Sequence, residues 1–337
     1  MKNQLKEFRD SYLDLLLNFL WRQWSSLGVP GYGERQDNRI IDPEALLLFS
    51  CTLARYEARL FDEIINWLYQ NGLMINILRL RTIQKRENFN AEKILASLAE
   101  HMAEKNYTKW KRLIENAELP DKKEPLFFFK NGTPMEGFGN KYDEIFYKHG
   151  FIRGKIEIRK HVQEIKTTSL SAIMLKLRSF FGRTARCEIV AYLLTHESGH
   201  PSSIARETYY AQKTVQDILV EMEQSGFIFV RPSGKEKHYW IKKEKWQELF
   251  MPEIGHLKWI SWPPAFIALE KIWLMVNEPD FLNLSPLLQS SELRQLMHEL
   301  KPKIESAGFF ANLSDDQQYI GEEYIDIFMK DIKSILE

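Results

Sequence analysis

The sequence predicts a mainly α-helical protein of several domains with one small β-hairpin near its middle, and three observations carry that prediction. Apolar residues recur at three- and four-residue steps, as at Leu5, Phe8, Tyr12, Leu15, Leu16, Phe19 and Leu20, the one-sided pattern of a 3.6-residue period. Capping residues punctuate these runs at helix-length intervals. The chain has 337 residues, which at roughly 100 to 200 residues per domain gives two to three domains. With 44% hydrophobic and 27% charged residues it is neither collagen-like nor largely disordered.

The elements follow in order. Asp42 and Pro43 form an N-cap and first-turn proline that open a helix to about Arg55. A helix from about Leu60 is expected to stop at Asn71 and Gly72, residue types that tolerate a left-handed C-terminal cap. Helices over Ala91 to Ala103 and Tyr107 to Ala117 complete a helical domain, residues 1–118. Trp21 and Trp24 belong to its core or to an interface. Proline, glycine and aromatic runs then replace the helical pattern, and Ile156 and Ile158 alternate with Glu157 and Arg159, so residues 119–169 read as an extended linker packed on its neighbours. After a central segment, residues 170–250, an acidic helical domain spans 251–337. In it Pro263 and Pro264 precede a helix to about Val276, and Ser285 and Pro286 start another ending near Gly308. Ser314 with Gln317 is a capping-box pattern opening a last helix with Ile320, Tyr324, Ile327, Phe328, Ile332 and Ile335 inside.

Net charge is zero, but its distribution is uneven: residues 1–152 carry +1, residues 153–246 carry +7 and residues 247–337 carry −8. A basic middle beside an acidic end points to an anionic partner for the middle, restrained by the end. No apolar run is long enough for a membrane span, the N-terminus lacks the apolar core of a secretory signal, and Cys51 and Cys187 form no disulfide framework. A cytoplasmic location is expected.

The central segment carries the signature. A helix after Thr184 presents Ile189, Val190, Leu193 and Leu194 to a core and is ended by Gly199 and Pro201. A short helix over Ser202 to Thr208, a Tyr209–Tyr210 turn and a longer helix over Gln212 to Gln224 follow, the last with a stripe of Val215, Ile218, Leu219 and Met222 and stopped by Gly226. Phe227 to Arg231 and His238 to Ile241 make a hairpin with a polar, basic tip at Pro232, Ser233, Gly234 and Lys235.

That order, with Ile204, Ala205, Tyr210, Thr214, Val215, Leu219, Met222 and Gly226 at their places in PSSIARETYYAQKTVQDILVEMEQSGFIFV, resembles the winged helix-turn-helix domains of bacterial MarR-type and ArsR-type transcription regulators over about 75 residues. The resemblance implies DNA binding, with the longer helix entering the major groove by its N-terminal end. Gln212, Lys213, Thr214 and Gln216 occupy that end, where Gln pairs with adenine and Lys with guanine. Ser202, Ser203 and Arg206 on the preceding helix, and Arg231, Ser233, Lys235, Lys237 and His238 on the wing, are the implied phosphate contacts. Asp217, Glu221 and Glu223 depart from the family's basic pattern on this helix. The expected function is a DNA-binding regulator of double-stranded DNA, acting as a homodimer through apolar faces of the outer helices. The alternative is an antitoxin-like or adaptor protein whose winged helix binds a protein partner.

Two catalytic patterns compete with this reading. His196, Glu197 and His200 spell HExxH, but Gly199 and Pro201 break the helix that a zinc site needs. Arg294 and His298 are too close for the RxxxxH ribonuclease pattern. Trp259 and Trp262 are expected to pack between domains rather than line a pocket. No nucleotide-binding or hydrolase motif is present, and no enzyme activity, metal or cofactor is expected.

Overall fold

The apolar stripe of the first helix, α1 (Lys2–Ser26), is buried along its length: Leu5, Phe8, Tyr12, Leu16, Phe19 and Leu20 are at most 3% exposed. In this computed structural model, which describes residues 2–31, 38–105, 107–115, 119–135, 141–159, 169–250, 256–308 and 313–336, that stripe packs against helices from both ends of the chain. From the N-terminal side come α2 (Pro43–Leu53), α3 (Ala58–Asn71), α4 (Ile77–Glu87) and α5 (Glu92–Glu104), followed by a 3-10 segment, Thr108–Leu113. Next come β1 (Glu124–Pro125), α6 (Glu144–Lys148) and β2 (Phe151–Ile152). The central unit is α7 (Ile173–Phe181), α8 (Ala185–Thr195), α9 (Pro201–Thr208), α10 (Gln212–Gln224), β3 (Phe229–Ser233), β4 (Glu236–Trp240) and α11 (Lys243–Leu249). The C-terminal part supplies α12 (Trp262–Asn277), α13 (Pro279–Asn283), α14 (Pro286–Ser306) and α15 (Glu323–Leu336). The fold is mainly helical, with the β3–β4 antiparallel hairpin where the sequence puts it.

The buried apolar residues form two clusters. One unites residues of α1–α5 with those of α12–α15, so the two flanking segments read as separate domains share a single core, called the body below. Aromatic and polar contacts cross the join. Phe49 of α2 stacks on Phe266 of α12 at 4.7 Å, Tyr12 Oη donates to the Leu269 carbonyl at 3.0 Å, and Asn277 Nδ2 donates to Tyr56 Oη at 2.9 Å. Residues 119–135 and 141–159 also join the body, because Leu126, Phe127, Phe146 and Phe151 are buried in it and β1 pairs in parallel with β2. The second cluster belongs to the central unit. The apolar faces of the outer helices are therefore largely covered internally, while Leu78 of α4 and Leu287 and Leu288 of α14 stay more than half exposed.

Local signals mostly hold. Asp42 accepts hydrogen bonds from the Glu44 and Ala45 amides at 3.1 Å, as an N-cap should, with Pro43 behind it. Ser285 caps α14, which continues through Pro302. Three expectations are corrected. Gly72 ends α3 with φ −59°, an ordinary right-handed turn, and the left-handed cap is at Asn88, φ 61°, after α4. Ser314 opens no helix; its amide and hydroxyl bind the Asp331 carboxylate, α15 starts at Glu323, and Ile320 is 82% exposed. Tyr107 to Ala117 gives only the 3-10 segment within its described part, and Ala117 lies outside the described residues.

One buried acid has a measurable consequence. Glu270 of α12 is 1% exposed, its Oε1 contacts Thr52 Oγ1 and its Oε2 accepts the Asn90 amide at 3.1 Å. Thr52 Oγ1 also donates to the Asn90 carbonyl at 3.2 Å. A hydroxyl has one proton, so when it goes to Asn90 the shared proton belongs to the carboxyl. Burial accordingly pushes the Glu270 pKa up to about 7. A carboxyl raised in the folded state stabilises fully below its unfolded value and loses that contribution as pH rises through the folded value. Wild-type stability should fall by up to about 3 kcal/mol between pH 5 and pH 8 from this group. In Glu270→Gln the amide donates to Thr52 while its oxygen accepts from Asn90, mimicking the neutral acid. Denaturant melts should show that fall flattened, and identical pH slopes for the two proteins would contradict the assignment.

Candidate nucleic-acid interface

Three helices and the hairpin assemble into a winged helix-turn-helix order around Ile189, Val190, Leu193, Leu194, Ile204 and Leu219, all buried. Ala205, 5% exposed, sits where α9 meets its neighbours. Gly199 does more than break a helix: its amide and carbonyl pair with those of Tyr239 at 2.9 Å, joining the α8–α9 connection to the wing. A Cβ there would lie 2.7 Å from Tyr192 Cε1 and 2.8 Å from Ile204 Cγ1, so only glycine allows that approach. The Tyr209–Tyr210 turn depends on Tyr209 in a left-handed conformation, φ 63°, which caps α9. Its hydroxyl donates to Glu87 Oε1 of α4 at 2.6 Å and its ring is buried in the body core, which holds the strained turn in place.

The helix α10 is anchored by Val215, Leu219 and Met222, with Ile218 half-buried. Gln212, Lys213, Thr214 and Gln216 are all exposed at its N-terminal end. Lys213 Nζ lies 2.9 Å from Asp217 Oδ1 one turn on, and Arg186 of α8 pairs with Glu221. Exposed pairs of this kind contribute little to stability in water, roughly 0–1 kcal/mol, so both cations remain able to exchange partners. Lys213, Asp217 and Glu221 recur at four-residue spacing, so the outward stripe of α10 carries both signs.

The other predicted contacts divide into two groups. At the start of α9, Ser202 is exposed and Ser203 half-buried, and the His200 Nδ1 lies 2.8 Å from Ser202 Oγ and accepts the Ser202 amide. Arg231 reaches the same loop, donating to Ser198 Oγ at 2.8 Å, and the His238 ring is 5.8 Å from that of His200. Arg231 faces His238 in the hairpin register, so both project from one side of the wing. Lys237 faces Pro232, one residue out of step and hence on the opposite side, while Lys235 is exposed at the tip beside Gly234 and Ser233. Arg206 is exposed beside Glu207. The structure thus brings Ser202, Arg231 and His238 together with the loop and separates Lys237 from them.

The competing patterns dissolve in this geometry. His196 ends α8 in extended conformation and stacks on Tyr192 at 3.8 Å, and burial lowers its pKa; His200 begins a different helix. Among the described residues no group of three His, Cys, Asp or Glu could hold a metal ion. Arg294 donates to the Tyr319 carbonyl and lies over the Tyr324 ring. Trp262 is buried and donates to the Ile40 carbonyl, Trp259 packs at Tyr192, and the cavity beside them is about 10 Å³, room for a water at most.

Sequence reasoning missed what orients this unit. Beneath the turn, Arg178 of α7 donates to both oxygens of Glu44 and to Glu188 Oε1 at 2.7 Å, and Arg79 of α4 reaches Asp42 at 2.5 Å, Glu44 at 2.8 Å and the Thr208 carbonyl at 2.9 Å. Tyr210 Oη donates to Glu188 Oε2 and receives Asn76 Nδ2. Glu44, Glu188, Arg79 and Arg178 are each at most 3% exposed. Burial alone would raise the Asp42 pKa, but the Arg79 guanidinium outweighs it and holds the carboxyl below its ordinary value. The Arg178–Glu44 ion pair thus ties the central unit to α2 and the Arg79–Thr208 hydrogen bond ties it to α4, and none of the described ion pairs joins it to residues 256–336, where the acidic end is expected to act.

No protein-family model, curated protein or solved structure matches the chain. Among the described residues no helix is long and apolar enough to cross a membrane.

Proposed function

We propose that the protein is a DNA-binding transcription regulator, related in its central unit to the bacterial MarR-type and ArsR-type winged helix-turn-helix regulators, and that it works without catalysis in the cytoplasm. One observation carries the reading: the N-terminal end of α10 leaves Gln212, Lys213, Thr214 and Gln216 exposed together, while Val215 and Leu219 on the opposite side pin the helix to its core. Side chains of these types at a helix N-terminus suit base edges in the major groove. Phosphates on one flank would meet Ser202, Arg231 and His238, and on the other Lys235 and Lys237 at the wing.

One recognition helix reads too few base pairs for a unique address, so the active species is a homodimer on two half-sites about 10 base pairs apart. On the central unit Phe180, Phe227 and Leu249 are each more than half exposed and offer the dimer an apolar surface. Light scattering, with fluorescence anisotropy on random and selected duplexes at two salt concentrations, tests the reading. A dimer with salt-dependent binding is expected. A monomer with no affinity for any duplex would turn the reading toward a protein partner for α10, which its exposed Asp217 and Glu221 would then serve.

A further inference from the structure

The face of α4 away from the core borders an open groove of about 980 Å³ whose opposite wall is the 3-10 segment Thr108–Leu113. Arg81, Lys85 and Arg86 of α4 and Arg112 across the groove line it, against one carboxylate, Glu92. All four cations are exposed, and among the described residues Arg81, Lys85 and Arg112 have no ion-pair partner. Lys85 and Arg86 also complement the C-terminal end of α4. Arg112 likewise lies in the last turn of the 3-10 segment, but Arg81 in mid-helix has no such role, and Arg81 and Lys85, four apart on one helix, repel each other.

The groove ends at the helix-turn-helix. The Arg86 guanidinium lies 5.4 Å from the ring centre of Tyr209, three residues before α10 begins, and Glu87 holds the Tyr209 hydroxyl. We propose that this groove binds backbone phosphates of the same duplex that α10 reads, on the stretch flanking the recognition site. The inference rests on the DNA-binding reading and extends its footprint from the winged helix onto the body. From Arg81 to Arg86 the helix rises about 7.5 Å, the length over which one DNA strand presents about two phosphates, and Arg112 adds a cation from the other wall. The buried Asp42–Arg79–Glu44–Arg178 network holds body and winged helix in one orientation, so the two contacts can act together.

The test compares Arg81→Gln/Lys85→Gln/Arg112→Gln with Lys235→Gln/Lys237→Gln, all at exposed positions, after matched thermal melts. Salt dependence is measured on a long duplex and on one trimmed to the recognition site. The groove variant should bind the long duplex about 10- to 100-fold more weakly at 0.15 M salt, with the slope of log affinity against log salt reduced by about 2 to 3 and base preference unchanged. On the trimmed duplex it should match wild type. If the groove variant keeps the wild-type slope while the wing variant loses slope, the groove inference is wrong and the DNA-binding reading stands. If the groove variant loses only single-stranded nucleic acid binding, the groove takes a different ligand and the inference is equally wrong. Absence of duplex binding by the wild type overturns both.

Discussion

Arg178→Ala should destabilise the protein by about 3–5 kcal/mol, the cost of leaving buried carboxylates without their cation. Arg178 serves Glu44 and Glu188 at once, and both acids are at most 2% exposed on their side chains. Arg79 still reaches Glu44 in the variant, but Glu188 keeps only the Tyr210 hydroxyl. Lysine should rescue poorly, because a single ammonium cannot reproduce the planar fork that binds two carboxylates and the Met74 carbonyl. Removing the charge on both sides, in Arg178→Met/Glu188→Gln, should recover part of the loss. Urea melts measure this; a cost below about 1 kcal/mol for Arg178→Ala would mean that the network does not hold the winged helix on the body.

Gln212→Ala/Lys213→Ala should lower affinity for the best duplex site by about 2–6 kcal/mol, taking roughly 1–3 kcal/mol for each of the two base contacts, and should barely change affinity for random DNA beyond the loss of one cation. Both side chains are exposed and Lys213 pairs with the exposed Asp217, so the melting temperature should stay close to that of wild type. Asp217 gives the opposite sign. With its carboxylate on the outward stripe of α10, Asp217→Asn should tighten duplex binding if that stripe faces the groove.

Much of the central unit was legible because its physics is local. The stripe Val215, Leu219 and Met222 with Gly226 behind it gives α10 its limits, and Gly234 turns the hairpin at a left-handed position, φ 62°. Helix α4 escaped because its buried face mixes Ile77, Leu80 and Ile83 with the buried Arg79, so charge interrupts the apolar period. The network escaped for the same reason: Asp42, Glu44, Arg79, Arg178 and Glu188 are scattered along the chain, Asp42 alone reads only as an N-cap, and each of the others alone reads as surface charge. A cue was present in Glu44 and Glu188, which stand inside the apolar runs PEALLLFSCTL and CEIVAYLL, where a carboxylate needs a partner. The shared core of the two flanking segments was invisible, since an apolar stripe says that something covers it and not what. The capping-box pattern misled because Ser314 has a stronger, charged acceptor in Asp331, seventeen residues away.

The most direct measurement is selection of binding sites from a pool of random duplexes by the wild type and by Gln212→Ala/Lys213→Ala in parallel. If α10 reads DNA, the wild type enriches one sequence with two related half-sites, and the double variant retains salt-dependent binding but loses the enrichment at the positions those side chains contact. Enrichment of the same sequence by both proteins, or of none by the wild type, would contradict the assignment of α10 as a recognition helix.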